Sequence, residues 1–337
     1  VSKTNDAGTV RRTIDLEKYG SLIALGFLLV LASIIGRPYF LQIENLINVM
    51  RQASYTGIIA LGMTFVIISG GIDLSVGSIA VFAASCGMLM MNHLMGTSGG
   101  NETLAIAGGI SVMVIVGLAG GAVNGLLITL GKIVPFIVTL GTMSIFRYLS
   151  LQLANAGEFA SQSQRYGEFG MAKLFSLDTG VGVFSLPIPV AMLFITAIVL
   201  SFVLNNTRYG RYLCAVGSNA RVAQYSAVRV GRVRFWAYAI NGVVIGISAA
   251  LLAARFNTVS TPNFGLGFEL DAIAAVIIGG TAMAGGRGSI WGTVVGVFML
   301  QIIQNMLNMA GLSPYLQGVV KGVVIIASVY IQRQRQS

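Results

Sequence analysis

The chain reads as an all-α membrane protein with about ten bilayer-crossing helices, on three observations. Composition comes first. Hydrophobic residues make up 55%, charged residues 9%, and the mean hydropathy is +0.82, whereas a soluble domain carries about 25% charged residues. No soluble core of this size hides so much apolar surface, so lipid is the expected solvent. Second, apolar runs near the ~20 residues needed to cross a bilayer recur along the whole chain. Third, charge is segregated. Between Asn205 and Phe235 stand six arginines (Arg208, Arg211, Arg221, Arg229, Arg232, Arg234) and no acid. Positive charge in short loops marks the side that is not translocated, so this segment is expected in the cytoplasm. Within it, residues 217–228 read as a short helix behind a Gly-Ser turn, placed to dock something there.

The elements follow in order. Residues 1–18 are polar and carry Arg11-Arg12, with no cleavable signal evident, and are expected to form a cytoplasmic tail. Apolar spans are predicted at 20–36, 53–70, 74–95, 103–130, 134–154, 184–204, 235–256, 270–284, 288–310 and 315–332. The 270–284 span is short and reads as broken or tilted. An even count returns both termini to one side. Arg11, Arg12 and Lys18 at one end, with Arg333 and Arg335 at the other, put that side inside. Six spans precede the arginine-rich segment, which therefore also falls inside. The organisation is one transmembrane domain, 19–332, with a cytoplasmic loop at about 205–234 and a tail at 333–337. The largest outside loop, 155–183, has mixed charge and reads either as a solvated connector or as a surface feature for an extracytoplasmic partner.

An internal repeat is faintly visible. The third span follows Gly71-Ile72-Asp73-Leu74-Ser75 and the eighth follows Gly267-Phe268-Glu269-Leu270-Asp271, each with an acid where a helix begins. The fifth and tenth open near Pro135 and Pro314, and proline suits a first helical turn. By the span count, the members of each pair start on opposite sides, the pattern of two inverted five-helix halves. Glycine numbers 43 of 337, and Gly117-xxx-Gly121-xxx-Gly125, Gly242-xxx-Gly246 and Gly292-xxx-Gly296 have the spacing of close helix packing.

Several function classes are excluded. The formal charge of +10 sits at loop ends and termini, where membrane topology explains it, so no nucleic-acid role is implied. Two cysteines form no disulfide framework, and the lone His93 has no Cys or His cluster around it, so no metal site is expected. There is no phosphate-binding loop with Lys-Ser/Thr and no protease or hydrolase motif, so no catalytic residues are assigned. The Gly279–Gly288 stretch has no strand before it and reads as a tight turn.

The candidate site residues are polar groups inside spans. A charge at mid-span costs at least ~2.5–3.5 kcal/mol on insertion scales. Asp73, Arg147, Glu269 and Asp271 are therefore pathway or gate candidates, with helix capping the favoured reading for Asp73 and Asp271. Arg147 is expected to face the bundle interior or pair with an acid. Ser75, Asn124, Thr139, Thr142 and Asn305 would serve either a hydroxylated solute or helix–helix hydrogen bonds, and sequence alone leaves both open.

Three motifs carry a family resemblance: Gly70-Gly71-Ile72-Asp73-Leu74-Ser75-Val76-Gly77-Ser78, Pro135-Phe136-Ile137-Val138-Thr139-Leu140-Gly141-Thr142, and Glu269-Leu270-Asp271-Ala272-Ile273-Ala274-Ala275-Val276-Ile277-Ile278-Gly279-Gly280-Thr281. From about residue 40 to the C-terminus the chain resembles permease subunits of bacterial ABC sugar importers, nearest the ribose group, with xylose and galactose permeases beside it. The resemblance implies an inner-membrane subunit paired with a second permease copy, surrounded by lipid and fed by a periplasmic sugar-binding protein. It also implies a cytoplasmic ATPase that binds ATP and Mg, while this chain itself holds no cofactor. The loop after the sixth span would insert into that ATPase, which gives coupling roles to Gly217, Ser218, Asn219, Arg221, Ala223, Ser226 and Arg229. Ser218 replaces a usual glycine there, Arg221 an acid or small residue, and Ala227 a later glycine. Ala223 would lie on the tight side of the ATPase contact, and Arg221 and Arg229 would share one helix face. The rival solutes are a nucleoside or an amino acid, and the rival class is an ion-driven secondary transporter.

Overall fold

The computed structural model describes residues 16–97, 99–178, 180 and 183–334. The expected N-terminal tail up to residue 15, with Arg11 and Arg12, and Arg335 near the C-terminus lie outside the described residues. Thirteen helices and four short strands are present among them. The helices are α1 Leu16–Ile35, α2 Ile43–Ile68, α3 Val76–Thr97, α4 Glu102–Thr129, α5 Pro135–Leu153, α6 Gln164–Met171, α7 Ile188–Asn206, α8 Arg208–Ser218, α9 Ala220–Tyr225, α10 Val230–Phe256, α11 Phe268–Ile278, α12 Ile290–Met309 and α13 Pro314–Gln334. The strands are β1 Glu158–Ala160, β2 Lys173–Asp178, β3 Val183–Pro187 and β4 Thr258–Ser260. Seven helices (α2, α3, α4, α5, α7, α10 and α12) are long and apolar enough to cross a membrane, and shorter apolar stretches occupy Leu22–Ile35 and Tyr315–Ala327. At 1.5 Å per residue, the eleven-residue α11 covers only about 16 Å, roughly half of a ~30 Å hydrocarbon core. That shortness matches the broken character expected of the eighth span.

The buried centre is the pair α2 and α10, each enclosed along most of its length. Helix α10 packs on α3 and α4, while α2 packs on α11 and α12. Helix α3 touches α4 and α5, as α11 touches α12 and α13. The α4–α10 seam shows why the glycines are there. A Cβ on Gly117 or Gly121 would run into the backbone of Gly242, and one on Gly246 would meet Val114 Cα at 2.6 Å. The outer faces of α4, α5 and α7 remain apolar and exposed, with Ile115, Phe136, Ile137, Ile195, Ile198 and Phe202 among them, as a lipid-facing surface requires.

The bundle has two ends. At one lie α8, α9 and the loop after α11, where the Gly286 N–H donates to the Ile68 carbonyl at the end of α2, 2.9 Å. At the other, β1 pairs antiparallel with β4, and Asn92 near the end of α3 donates to Ala160 O at 2.9 Å and accepts from Gln162 N at 3.0 Å. The 155–183 segment departs from a plain connector. Ser163 caps α6 by accepting from Tyr166 N, the buried Tyr166 hydroxyl donates to Ala250 O at 2.7 Å, and Gly170 sits against the Ala254–Arg255 backbone. Helix α6 is thereby pinned to α10, and β2 and β3 form a hairpin beyond it. The expectation of an all-α chain is corrected to this extent: strands of three to six residues form where backbone outside the helices has to find partners.

Candidate functional site

The chain break before α3 is held by a buried polar junction. Asp73 Oδ1 accepts from the backbone N–H of Ser75 at 2.9 Å and from its hydroxyl, a turn closed by an acidic side chain two residues upstream. Asp73 Oδ2 accepts from Asn241 Nδ2 of α10 at 2.9 Å. Asn124 of α4 donates to Ser75 Oγ at 2.8 Å and accepts from the Thr142 hydroxyl of α5 at 2.7 Å. Thr139 reaches Ile72 O at 3.4 Å, and the Tyr238 hydroxyl reaches the same carbonyl at 3.3 Å. The structure thus brings Asp73, Ser75, Asn124, Thr139 and Thr142 into one solvent-excluded cluster. It ties the α2–α3 break to α4, α5 and α10. Asn241 and Tyr238 complete it. Their signal in the sequence was only their polarity within an apolar span.

A second break leads into α11. The Arg147 guanidinium of α5 donates to Phe264 O at 2.9 Å and Thr261 O at 3.2 Å, and it lies within electrostatic reach of Glu269. It clamps the segment that runs from β4 into the bundle. That segment comes so close to the start of α3 that a Cβ on Gly77 would strike Gly265 O and lie 2.9 Å from Glu269 Oε2. Asp271 is not an N-cap: its Oδ1 pairs with Lys321 Nζ of α13 at 2.7 Å. Both groups line a cavity of about 600 Å³ between α2, α10, α12, α13 and the 258–268 segment, with Gln52, Asn263, Gln301 and Gln304 also on its wall. Of the nine pathway candidates, only Asp271 lines this cavity.

Asn305 serves a different seam. It exchanges two hydrogen bonds with Asn45, at 2.9 and 3.2 Å. Gln301 donates to Gln52 Oε1 at 3.1 Å, and the Thr64 and Thr293 hydroxyls lie 2.8 Å apart. Helices α2 and α12 are thus laced by polar pairs. Asn45 and Gln52 lay in a stretch whose polarity had set the predicted second span at residue 53.

The arginine-rich segment folds differently from its sequence reading. Gly217 and Ser218 are not a turn but the last residues of α8. The break falls at Asn219, whose side chain accepts from the N–H groups of Arg221 and Val222 and so caps α9. Helix α9 ends at Tyr225, and Arg229 is the N-cap of α10, so Arg221 and Arg229 do not share a helix face. Ala223 is buried against the chain's own core rather than offered outward. Its neighbours Val222 and Tyr225 point away instead, at 58% and 89% exposure. Ser226 is exposed and ends the helix. Gly217 makes the tightest contact, since a Cβ there would overlap both Ile68 O and the Gly286 N–H. Gly286 itself has φ +79°, a conformation suited to glycine. The end of α8, the end of α2 and the α11–α12 loop therefore meet in one glycine-lined hub.

A helical bundle with lipid-type outer faces, two internal chain breaks and an arginine-rich segment at one end is the architecture of a multi-pass membrane component. The chain belongs to the family described as branched-chain amino acid transport system / permease component, whose profile matches residues 45–329. Among curated proteins, the ribose import permease protein RbsC of Bacillus subtilis (strain 168) is 38% identical over 324 residues, covering 96% of this chain and 94% of that one. The RbsC of Escherichia coli (strain K12) is 33% identical, covering 95% of each. The D-allose transport system permease protein AlsC of the same strain is 35% identical, covering 94% of this chain and 92% of its own length. No solved structure matches. The chain is a permease component, not an ATPase.

Proposed function

We propose that this chain is the membrane subunit of an ATP-driven importer that carries a ribose-type monosaccharide into the cytoplasm. The observation that carries the reading is full-length similarity to two ribose import permeases and a D-allose permease. The family description names amino acids instead, which keeps an amino-acid solute as the second reading. The neutral amides around the cavity, with its one acid paired to a lysine, favour the sugar.

The proposed arrangement has about ten crossings: the seven long helices, α1, α13 and the half-length α11. Both termini and the 205–234 segment face the cytoplasm, as the arginines there suggest. The contacts support two inverted five-helix halves, since α2 packs on α11 and α12 as α10 packs on α3 and α4. The partners are a second permease copy beside this chain in the inner membrane, a cytoplasmic ATPase that holds ATP and Mg, and a periplasmic sugar-binding protein. In this reading Val222, Tyr225 and Arg221 of α9 meet the ATPase, and Ala223 fixes α9 to the body. A push on α9 passes through Gly217 to Ile68 and Gly286 together. It moves the inner ends of α2 and α12, whose outer halves carry Gln52 and Gln301 of the cavity wall. The Asp73 junction holds α3, α4, α5 and α10 as one unit against which these helices shift.

The test is uptake of radiolabelled ribose by cells lacking their own ribose permease, with this chain expressed beside its ATPase and binding protein. Uptake that unlabelled ribose competes away, and leucine does not, supports the sugar reading. Uptake of leucine and none of ribose overturns it.

A further inference from the structure

The cavity between α2, α10, α12 and α13 has a chemistry that the coupling and junction residues do not explain. Three glutamine amides, Gln52, Gln301 and Gln304, and the Asn263 amide line it. Each amide offers both donors and an acceptor, the combination that matches a hydroxyl, which also donates and accepts. Gln301 and Gln52 currently satisfy each other at 3.1 Å, so a hydroxyl entering between them exchanges bonds rather than stranding a group. The one acid on the wall is already engaged, Asp271 being paired to Lys321 at 2.7 Å. Arg255 keeps its charge but is held over the rings of Tyr55 and Phe256 at 5.6 and 5.3 Å. The wall thus presents mainly neutral hydrogen-bonding groups, with no free acid for a cation to seek. Phe264, Leu266 and Phe268 add an apolar side, fitting the C–H face of a sugar ring. The volume of about 600 Å³ lies in the range of small-molecule sites, roughly 300–1,000 Å³. It equals the liquid share of about twenty waters, so a monosaccharide enters with part of its hydration.

We infer that this cavity, formed within a single chain, is a transient binding site for a neutral polyhydroxylated solute, with Gln52, Gln301, Gln304 and Asn263 as its hydrogen-bonding contacts. The site rests on the sugar-import reading above and locates one station of that route. It lies at the end of the bundle that carries the β1–β4 pair, so solute arrives from the side opposite the arginine-rich segment. The contact is brief by design: exchangeable amide bonds and partial hydration give modest affinity, which a carrier needs in order to release.

The test uses the assembled importer in proteoliposomes, with Cys86 and Cys214 replaced by alanine. Gln304→Cys is exposed to a small anionic methanethiosulfonate from the side of the binding protein, with and without saturating ribose. Labelling about tenfold slower with ribose is expected, the factor that about 1.4 kcal/mol of occupancy gives, and labelled importer should lose uptake. Where Gln304→Cys does not assemble, Asn263→Cys, at an exposed position, gives the same readout. Equal labelling rates with and without ribose, in a variant that still imports ribose, overturn the site while leaving the sugar reading intact. Absence of ATP-driven ribose uptake by the parent itself overturns both.

Discussion

Removing the Asp73 carboxylate distinguishes a structural junction from a solute contact. Asp73 accepts three hydrogen bonds, two from Ser75 and one from Asn241, and has no exposed surface. In Asp73→Ala all three donors lose their partner. A buried donor left unpaired costs about 1–3 kcal/mol. Ser75 Oγ can turn toward other acceptors, so the sum is about 3–5 kcal/mol, the scale for breaking a buried charged contact. Asp73→Asn should be far milder. Its oxygen still accepts from Ser75. Its new NH₂ faces Asn241, whose Oδ1 has no partner, so a flip of the Asn241 amide restores the third bond. Neutral bonds replace charge-assisted ones, and the net loss is about 1 kcal/mol. At roughly 2–4 °C per kcal/mol for large domains, purified Asp73→Ala should melt about 6–20 °C below the parent, and Asp73→Asn within about 4 °C of it. The assay is a thermal melt in detergent read by retained monodisperse protein. Equal losses for the two variants, or none for Asp73→Ala, would refute the reasoning.

Other expectations follow from the arginine-rich end. Tyr225→Ala should leave the melting temperature unchanged, because the side chain is 89% exposed, yet cut solute-stimulated ATP hydrolysis at least about tenfold, as loss of an interface tyrosine does; stimulation equal to the parent's would remove α9 from the interface. Gly217→Val should break the contact with Ile68 and Gly286, costing about 1–3 kcal/mol by overpacking, and should separate ATP hydrolysis from uptake in the assembled importer; coupled uptake at the parent's rate counts against the hub. A membrane-impermeant thiol reagent added to sealed cells should label Asp178→Cys and not Tyr225→Cys; the reverse inverts the topology. The native Cys214 on α8 should label more slowly than Tyr225→Cys in inside-out vesicles, because burial pushes its thiol pKa up and less reactive thiolate is present near neutral pH.

The long helices were legible because an apolar run of bilayer length is a local signal. The start of α2 was not. Glu44, Asn45, Arg51 and Gln52 interrupt its apolar run, and their polarity is absorbed by partners elsewhere in sequence, Asn305 for Asn45 and Gln301 for Gln52. The strands were invisible for a related reason: three residues carry no periodicity, and β1 finds β4 a hundred positions away. Asp73, Ser75, Asn124, Thr139 and Thr142 stood out as polar groups in apolar spans, but only the fold shows that they bond to one another. The direction of α9 was likewise unreadable. Its six residues place Ala223 inward and Tyr225 outward, and six residues make less than two helical turns. Arg147 was the clearest single signal, because a charge that deep requires a partner, and it has the Thr261 and Phe264 carbonyls.

The central claim is that this chain forms a sugar path driven by ATP through a separate subunit. The most direct measurement is accumulation of radiolabelled ribose in proteoliposomes that contain the chain, its ATPase and its binding protein. Accumulation against a gradient that requires ATP and Mg on the ATPase side, persists when proton and sodium gradients are collapsed, and disappears when this chain is omitted is the expected result. Ribose accumulation driven by an ion gradient without ATP, or ATP hydrolysis that proceeds with no ribose accumulation, would contradict the account.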